Sequence, residues 1–229
     1  MIRSTKNILL ALDTSTRTAG LALYDGSEVL VEFTWASLDH HTVELAPAIA
    51  DAFKKTRVKY SDLAAIAVAR GPGSFTGLRI GYALAKGLAL ARHIPLVTIP
   101  TLDFLASAQP PLELPMVALL RAGRGRLACS WYIFLENAWR STGELVVLTV
   151  QELIPHIKTN TLVCGELTAE ERQLLNRECP NALLSTPAQS LRRTGFLAEL
   201  AWRYWHEGQI DDPASAAPLY LHYNDPIPE

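Results

Sequence analysis

One acidic residue and three hydroxyl residues follow the first apolar run: Asp13, Thr14, Ser15 and Thr16. In proteins that hydrolyse ATP, a carboxylate of this kind holds Mg²⁺ or orients water, and the neighbouring loop contacts phosphate. An aspartate in a turn also forms local hydrogen bonds without any chemical role. These four residues therefore predict a degenerate nucleotide-binding loop, with a purely structural turn as the alternative.

A glycine-rich stretch, ARGPGSFTGLRIG, spans residues 69–81 between an apolar run and a helical pattern. It lacks the lysine of a Walker A loop, and Thr76 stands where a dinucleotide fingerprint has its third glycine. An anion site at the helix N-terminus remains open, because Ser74 or Thr76 can cap the helix while free N–H groups point outward. The stretch otherwise predicts a capped helix start.

Metal and hydrolase sites are the next candidates for chemistry, and the sequence supports neither. His40 and His41 are adjacent, and neighbours one position apart do not face each other on a helix. Either histidine with Glu44 makes a partial metal site without an evident third ligand. No G-x-S-x-G elbow is present, and Ser74 has no obvious base. We expect no catalytic residue, no metal and no cofactor beyond weak or interface-bound ATP or ADP.

The composition is that of an ordinary globular protein. The chain has 229 residues, is 49% hydrophobic and 19% charged, and carries a formal net charge of −2. That charge argues against a surface that grips nucleic acid by itself, since phosphate contacts dominate such affinity. No apolar run approaches the ~18 residues of a membrane helix, and the start does not resemble a signal peptide. We expect a cytoplasmic protein with no membrane anchor.

Strand and helix patterns divide the chain into two parts, separated by the proline-rich segment ASAQPPLELP, which predicts a linker. The predicted domains are residues 1–105 and 106–229, with the C-terminal segment packing back on the first. The predicted strands are 8–14, 20–25, 28–35, 63–69, 95–99, 116–120, 127–135, 144–149 and 161–164, and the predicted helices are 41–55, 75–93, 169–176 and 191–207.

Two α/β halves of similar size, each opening with strands, predict the fold class. We expect two actin-like (ribonuclease H-like) subdomains, each a mixed sheet with packed helices. No internal repeat is visible in the sequence itself. In such an architecture, any nucleotide chemistry belongs to the cleft between the halves.

The two long helices of the first half carry more apolar surface than one domain needs. Gly77, Gly81, Ala85 and Ala89 recur every fourth residue and form a ridge of small side chains. Helix-interior glycine costs about 1 kcal/mol relative to alanine, which close packing against another helix would offset. Two interpretations remain open: an exposed helical pair that binds a partner, or two helices internal to a larger core. The first predicts these partner-binding residues: His41, Leu45, Ile49, Phe53, Gly77, Leu78, Gly81, Ala85 and Leu88.

Four stretches resemble the TsaB (YeaZ) family: ILLALDTSTRTAGLALYDG, HHTVELAP, ARGPGSFTGLRIGYALAKGLA and PLYL. The similarity is specific in residues 8–105 and weak in 106–215. It implies an actin-like protein of bacterial tRNA modification that activates and scaffolds its paralogue TsaD without being the transferase. TsaD transfers a threonylcarbamoyl group to N6 of adenosine 37 of tRNA.

The same resemblance implies the partners. They are TsaD in a heterodimer, the ATPase TsaE in a ternary complex, a second copy of the chain in a homodimer, and tRNA mainly through the complex. Pairing would use a bundle of the helices predicted at 41–55 and 75–93.

The second half departs from the family pattern. TsaB proteins commonly carry DAR-x-GE-V-Y, whereas this chain has RAGRGRLACSWY, so Arg121 replaces an aspartate and Arg126 a glutamate. A carboxylate pair for metal-assisted hydrolysis is therefore not expected. Arg121, Arg124 and Arg126 form a basic cluster that suits phosphate of tRNA or nucleotide, with a solvated surface as the alternative that the sequence favours. The alternative functions are an actin-like ATPase or small-molecule kinase that uses Asp13, and a homodimeric module that acts alone.

Overall fold

The computed structural model describes residues 7–37 and 41–221. His40, the neighbour of His41 in the metal hypothesis, lies outside them. The strands are β1 (Ile8–Asp13), β2 (Thr18–Tyr24), β3 (Val29–Ala36), β4 (Leu63–Gly71), β5 (Leu96–Pro100), β6 (Met116–Gly123), β7 (Arg126–Leu135), β8 (Ala138–Ser141), β9 (Val146–Leu148), β10 (Thr161–Gly165) and β11 (Ala182–Leu184). The helices are α1 (His41–Thr56), α2 (Phe75–Arg92), α3 (Thr101–Ser107), α4 (Val150–Leu153), α5 (Ala169–Glu178) and α6 (Thr194–His206).

The two sheets share one strand order. The first runs β3-β2-β1-β4-β5 and the second β8-β7-β6-β10-β11, with β9 also paired to β7. In the first sheet β1, β2 and β3 are antiparallel, while β4 and β5 run parallel to β1. The second sheet repeats this pattern from β6. This is the ribonuclease H-like order, and the predicted class of two actin-like subdomains is confirmed.

Helices cover both faces of the first sheet, so every residue of β1 is buried. Leu10 and Leu12 point to a core shared with α1 and α2. Leu9 and Ala11, which alternate with them, point to a second core that contains α6. The central strand therefore reads as a continuous apolar run and ends in Asp13.

The second sheet is flanked by shorter helices. Its core on one face includes residues of α3, and the core on the other face includes residues of α4 and α5. The predicted linker begins inside α3. Gln109, which lies in the linker after α3, is buried, and its Nε2 donates to the Gln189 carbonyl oxygen at 2.8 Å. The predicted strand 144–149 shortens to β9, and β8 precedes it. The elements that the sequence did not predict are α3, α4, β8 and β11, each of which has only three to seven residues and so carries little periodicity.

Local signals explain the helix ends that matter for the site. Ser74 caps α2, as predicted, because its Oγ accepts a hydrogen bond from the Gly77 N–H at 3.2 Å. His93 ends the helix in the left-handed region, at φ 53°. Helix α6 begins at Thr194, later than predicted, because Arg193 is extended.

The segment after α6 crosses back over the first sheet. The Asp211 N–H donates to the Leu96 carbonyl oxygen at 2.8 Å, and the Leu219 N–H donates to the Arg70 carbonyl oxygen at 2.8 Å. The division into residues 1–105 and 106–229 stays a prediction. Within the described residues, no helix combines the length and apolar character needed to cross a membrane.

Candidate functional site

A buried arginine lies between the two halves, directly before α6. The Arg192 Nε donates to Asp13 Oδ2 at 2.8 Å, and its Nη1 donates to Glu166 Oε1. Its Nη2 donates to Thr16 Oγ1 at 2.7 Å and to the Thr18 carbonyl oxygen at 3.0 Å. One guanidinium thus ties together the ends of strands from both halves.

The charges in this cluster stabilise one another. Burial lowers the pKa of Arg192, but Asp13 and Glu166 outweigh it, so that the pKa rises above its ordinary value and the guanidinium stays charged. Asp13 is 2% exposed, and its other oxygen, Oδ1, accepts a hydrogen bond from the Ser15 N–H at 2.9 Å. Asp13 therefore forms the turn that the sequence suggests, and it also balances a buried cation. Its part in nucleotide binding stays a prediction.

The small residues of α2 let the Asp13 loop lie directly on that helix. Thr14 Oγ1 donates to the Gly77 carbonyl oxygen at 2.7 Å, and the Ser74 N–H donates to the Ser15 carbonyl oxygen at 2.6 Å. A Cβ atom added to Gly77 would overlap the Thr14 carbonyl oxygen, and one added to Gly81 would overlap Thr14 Oγ1. These glycines serve close packing inside the chain.

Most of the predicted partner-binding residues are interior. Gly77 and Gly81 face Thr14, and His41 is 7% exposed, with its Nε2 3.0 Å from the Thr16 carbonyl oxygen. Leu88 is half-buried. The buried residues of this set pack inside the chain, although His41 and Leu45 also line a groove between α1 and α2. Their part in partner binding, and pairing of the two helices through their outer faces, stay predictions. The other residues in this set are at most 5% exposed: Leu45, Ile49, Phe53, Leu78 and Ala85.

An apolar groove of about 440 Å³ separates the outer faces of α1 and α2. Phe75 stands at its end with 55% exposure, and its ring lies 4.8 Å from that of Tyr220. Nearby Val43 on α1 is 65% exposed. These exposed apolar side chains, rather than the buried ridge, are available to a partner. Other residues that line the groove are Thr42, Ala46, Arg79, Ile80, Ala83 and Leu84.

A larger cleft of about 1000 Å³ adjoins the groove and is lined by both halves. Of the four residues predicted to bind nucleotide, Thr16 lines the cleft, whereas the other three lie beneath its surface. Arg121 also lines it, but its Nη1 donates to Glu171 Oε1 at 2.6 Å. Arg124 is exposed in the β6–β7 turn. The predicted basic cluster is thus partly engaged by acidic residues of the chain itself.

Two comparisons with known proteins identify the family. The family model described as TsaD, tRNA N6-adenosine threonylcarbamoyltransferase, matches residues 35–189. The Bacillus subtilis tRNA threonylcarbamoyladenosine biosynthesis protein TsaB is 35% identical over 217 residues, which cover 93% of each chain. The chain belongs to the TsaB family.

Solved structures agree with this assignment to the TsaB family. YeaZ from Pseudomonas aeruginosa superposes with a TM-score of 0.78 at 27% identity, covering 94% of this chain and 100% of that one. The activator of the 2-hydroxyisocaproyl-CoA dehydratase from Clostridium difficile, with bound ADPNP, has a TM-score of 0.50 at 12% identity, covering 88% and 97% of the two chains. The second likeness shows the fold alone.

Sequence reasoning missed the two residues that complete the cluster in this TsaB-family chain. Glu166 comes directly after the buried strand β10, and Asp13 is the last residue of β1, so a position at a strand end was the available signal. Arg192 offers no local signal, because its partner Asp13 lies 179 residues away. Across the described ranges, no group of three or more His, Cys, Asp or Glu side chains is placed to hold a metal ion.

Proposed function

We propose that this protein is a non-catalytic subunit that activates and scaffolds TsaD during formation of N6-threonylcarbamoyladenosine at position 37 of tRNA. The names of its relatives support the pathway. The observation that carries the non-catalytic role is the Arg192 guanidinium, which lies between the carboxylates of Asp13 and Glu166. The protein would act in the cytoplasm, where it meets tRNA mainly through its partner.

Arg192 occupies the place that a catalytic cation would need. Two carboxylates and the Thr16 hydroxyl are oxygen ligands of the kind that Mg²⁺ prefers. Here those oxygens accept hydrogen bonds from Arg192 instead. Moving a paired, buried guanidinium away leaves uncompensated charges, which is costly. This weighs against the alternative of an ATPase or kinase that uses Asp13.

The groove between α1 and α2 is the surface that we assign to TsaD. It is apolar, it opens on the outer face of the first half, and it continues into the cleft. A helix from the partner would fill it through spaced apolar anchors. The same surface would pair two copies of this chain when TsaD is absent, and TsaE would join the heterodimer.

The test is light scattering on the protein alone and mixed with its cognate TsaD, followed by a tRNA modification assay. We expect a one-to-one heterodimer and stimulated modification. Ala83→Arg adds a bulky charge in the groove and should weaken the complex. Leu183→Arg is the matched control, because Leu183 is 42% exposed on the edge strand β11 of the other half.

Two outcomes would overturn the proposal. One is a protein that neither binds its TsaD nor stimulates modification. The other is calorimetric binding of ATP–Mg²⁺ that Asp13→Asn abolishes, together with ATP turnover by the protein alone. A homodimer that persists unchanged when TsaD is added would instead favour a module that acts alone.

A further inference from the structure

A second cavity, of about 560 Å³, lies between the β7–β8 hairpin, α3 and α6. It is separate from the cleft. Antiparallel pairing of β6 with β7 sets Arg121 opposite Leu127 and Met116 opposite Tyr132. Arg121 lines the cleft and Tyr132 lines the second cavity, so the two sites lie at opposite ends of this strand pair. The volume is within the range of small-molecule sites.

Aromatic rings form the walls of this cavity. Phe134 and Trp139 come from the hairpin, and Phe196 and Tyr204 come from α6. Trp139 is held in place, because its Nε1 donates to the Gln109 carbonyl oxygen at 3.3 Å and its ring contacts Phe134 edge to face with centroids 5.4 Å apart. Fixed aromatic walls of this kind suit the flat face of a heterocyclic base.

The charged groups differ in depth. Asp103 is half-buried, and the Tyr132 hydroxyl donates to its Oδ1 at 2.7 Å. Burial raises the pKa of Asp103, and this hydrogen bond partly offsets the rise. Arg140 and Arg203 line the cavity but are exposed, and within residues 7–37 and 41–221 neither guanidinium has an ion pair or hydrogen bond. Glu199 lies one helical turn before Arg203.

We propose that this cavity binds a nucleotide, either free or as an unpaired residue of single-stranded RNA. The base lies between the aromatic walls and donates an N–H to the half-buried Asp103 carboxylate. The ribose hydroxyls donate to Glu199, and the phosphate accepts from Arg140 and Arg203 at the exposed mouth. The inner acceptor and the aromatic walls match the base, Glu199 matches the sugar, and the outer cations match the phosphate. The inference does not depend on the proposed function.

The first experiment is calorimetric titration of the full-length protein with guanosine monophosphate, whose base presents N–H donors on one edge. We expect saturable binding in the micromolar to millimolar range. Ribose 5-phosphate, which lacks the base, and guanosine, which lacks the phosphate, should each bind about tenfold more weakly or worse. These ligands test both ends of the site without altering the protein.

Variants of the protein then test whether the two exposed arginines of the cavity bind the phosphate. Arg140→Ala combined with Arg203→Ala removes two exposed side chains, so the fold should survive, and affinity should fall about tenfold or more. Arg177→Ala is the matched control, since Arg177 is exposed on α5 away from the cavity. A short fluorescent single-stranded RNA is titrated in parallel by anisotropy.

Tighter binding of the RNA than of the mononucleotide, lost in the double variant, identifies an RNA residue as the ligand. Equal or weaker binding of the RNA, with the same sensitivity to the double variant, identifies a free nucleotide. The proposal is overturned if neither probe binds saturably, or if binding is unchanged in the double variant.

Discussion

At the scale of single residues, the ion pair with Arg192 determines the role of Asp13. The sequence places a carboxylate at the end of a buried strand, which suits both a turn and a metal ligand. The structure adds a guanidinium from 179 residues later in the chain, and with it a second carboxylate, Glu166. Residues that pair over such a separation leave no local sequence pattern. The two carboxylates can therefore be predicted from their positions at strand ends, whereas the arginine cannot.

The first prediction is that Arg192→Ala destabilises the protein strongly. It leaves Asp13 buried beside Glu166 without the cation that balances them, and removal of one partner of a buried pair costs about 3–5 kcal/mol. Urea denaturation followed by circular dichroism measures the change in the free energy of unfolding.

Arg193→Ala is the control for this measurement. Arg193 pairs with Glu32 at 2.8 Å, but its side chain is 55% exposed. Exposed pairs contribute about 0–1 kcal/mol, so this variant should remain close to the parent. If the two variants lose the same stability, Arg192 is not the cation that holds the halves together.

At the scale of elements, α2 shows what a sequence pattern can and cannot decide. Its N-terminal cap, its length and its ridge of small residues are all visible in the sequence. The direction of the ridge is not, because a helix that is apolar on several sides does not reveal which side meets its own sheet. The structure turns Gly77 and Gly81 toward Thr14, and it leaves the groove beside α1 open.

This orientation predicts opposite effects at two glycines of one helix. Gly81→Leu should destabilise the folded monomer by about 1–3 kcal/mol or more, because its side chain would overlap Thr14. On the sequence alone, the same change would be expected to block pairing and leave the monomer intact. Gly87→Ala should stabilise by up to about 1 kcal/mol, since Gly87 has open space around it.

Thermal and urea unfolding of both variants provide the measurement, with light scattering to confirm that monomers are compared. A Gly81→Leu protein as stable as the parent would mean that Thr14 can move aside, and the ridge would again be available for pairing with a partner.

At the scale of the whole molecule, the two halves repeat one topology without a repeat in the sequence. Strand β6 corresponds to β1 in the strand order of its sheet. Strand β1 ends in the acidic residue Asp13, whereas the basic residue Arg121 lies near the end of β6. Strand order is set by pairing between distant segments, such as β6 with β10, which the hydrophobic pattern of each strand does not encode. Composition and element order therefore predict two α/β halves of the actin-like class, whereas the strand order within each sheet becomes visible only in the fold.

The halves are also interlocked, since α6 belongs to the second half in sequence and to the first in packing. Its residues Leu197, Ala198 and Ala201 share a core with Leu9 and Ala11 of β1. Removing α6 would expose most of this face of the first sheet to water, with Phe104 of α3 left to cover part of it. A sheet with an uncovered apolar face is prone to aggregation.

A fragment of residues 1–105 should therefore fail to fold alone, although the sequence suggests a domain there. The same fragment joined through a flexible linker to residues 191–221 regains the helix over β1 and the Arg192 partner of Asp13. We expect dispersed amide signals and slow hydrogen exchange in β1 for the joined protein, and neither for the shorter fragment. Native-like exchange protection in residues 1–105 alone would show that α1 and α2 suffice to stabilise the sheet, and that α6 is an accessory to this half rather than part of its core.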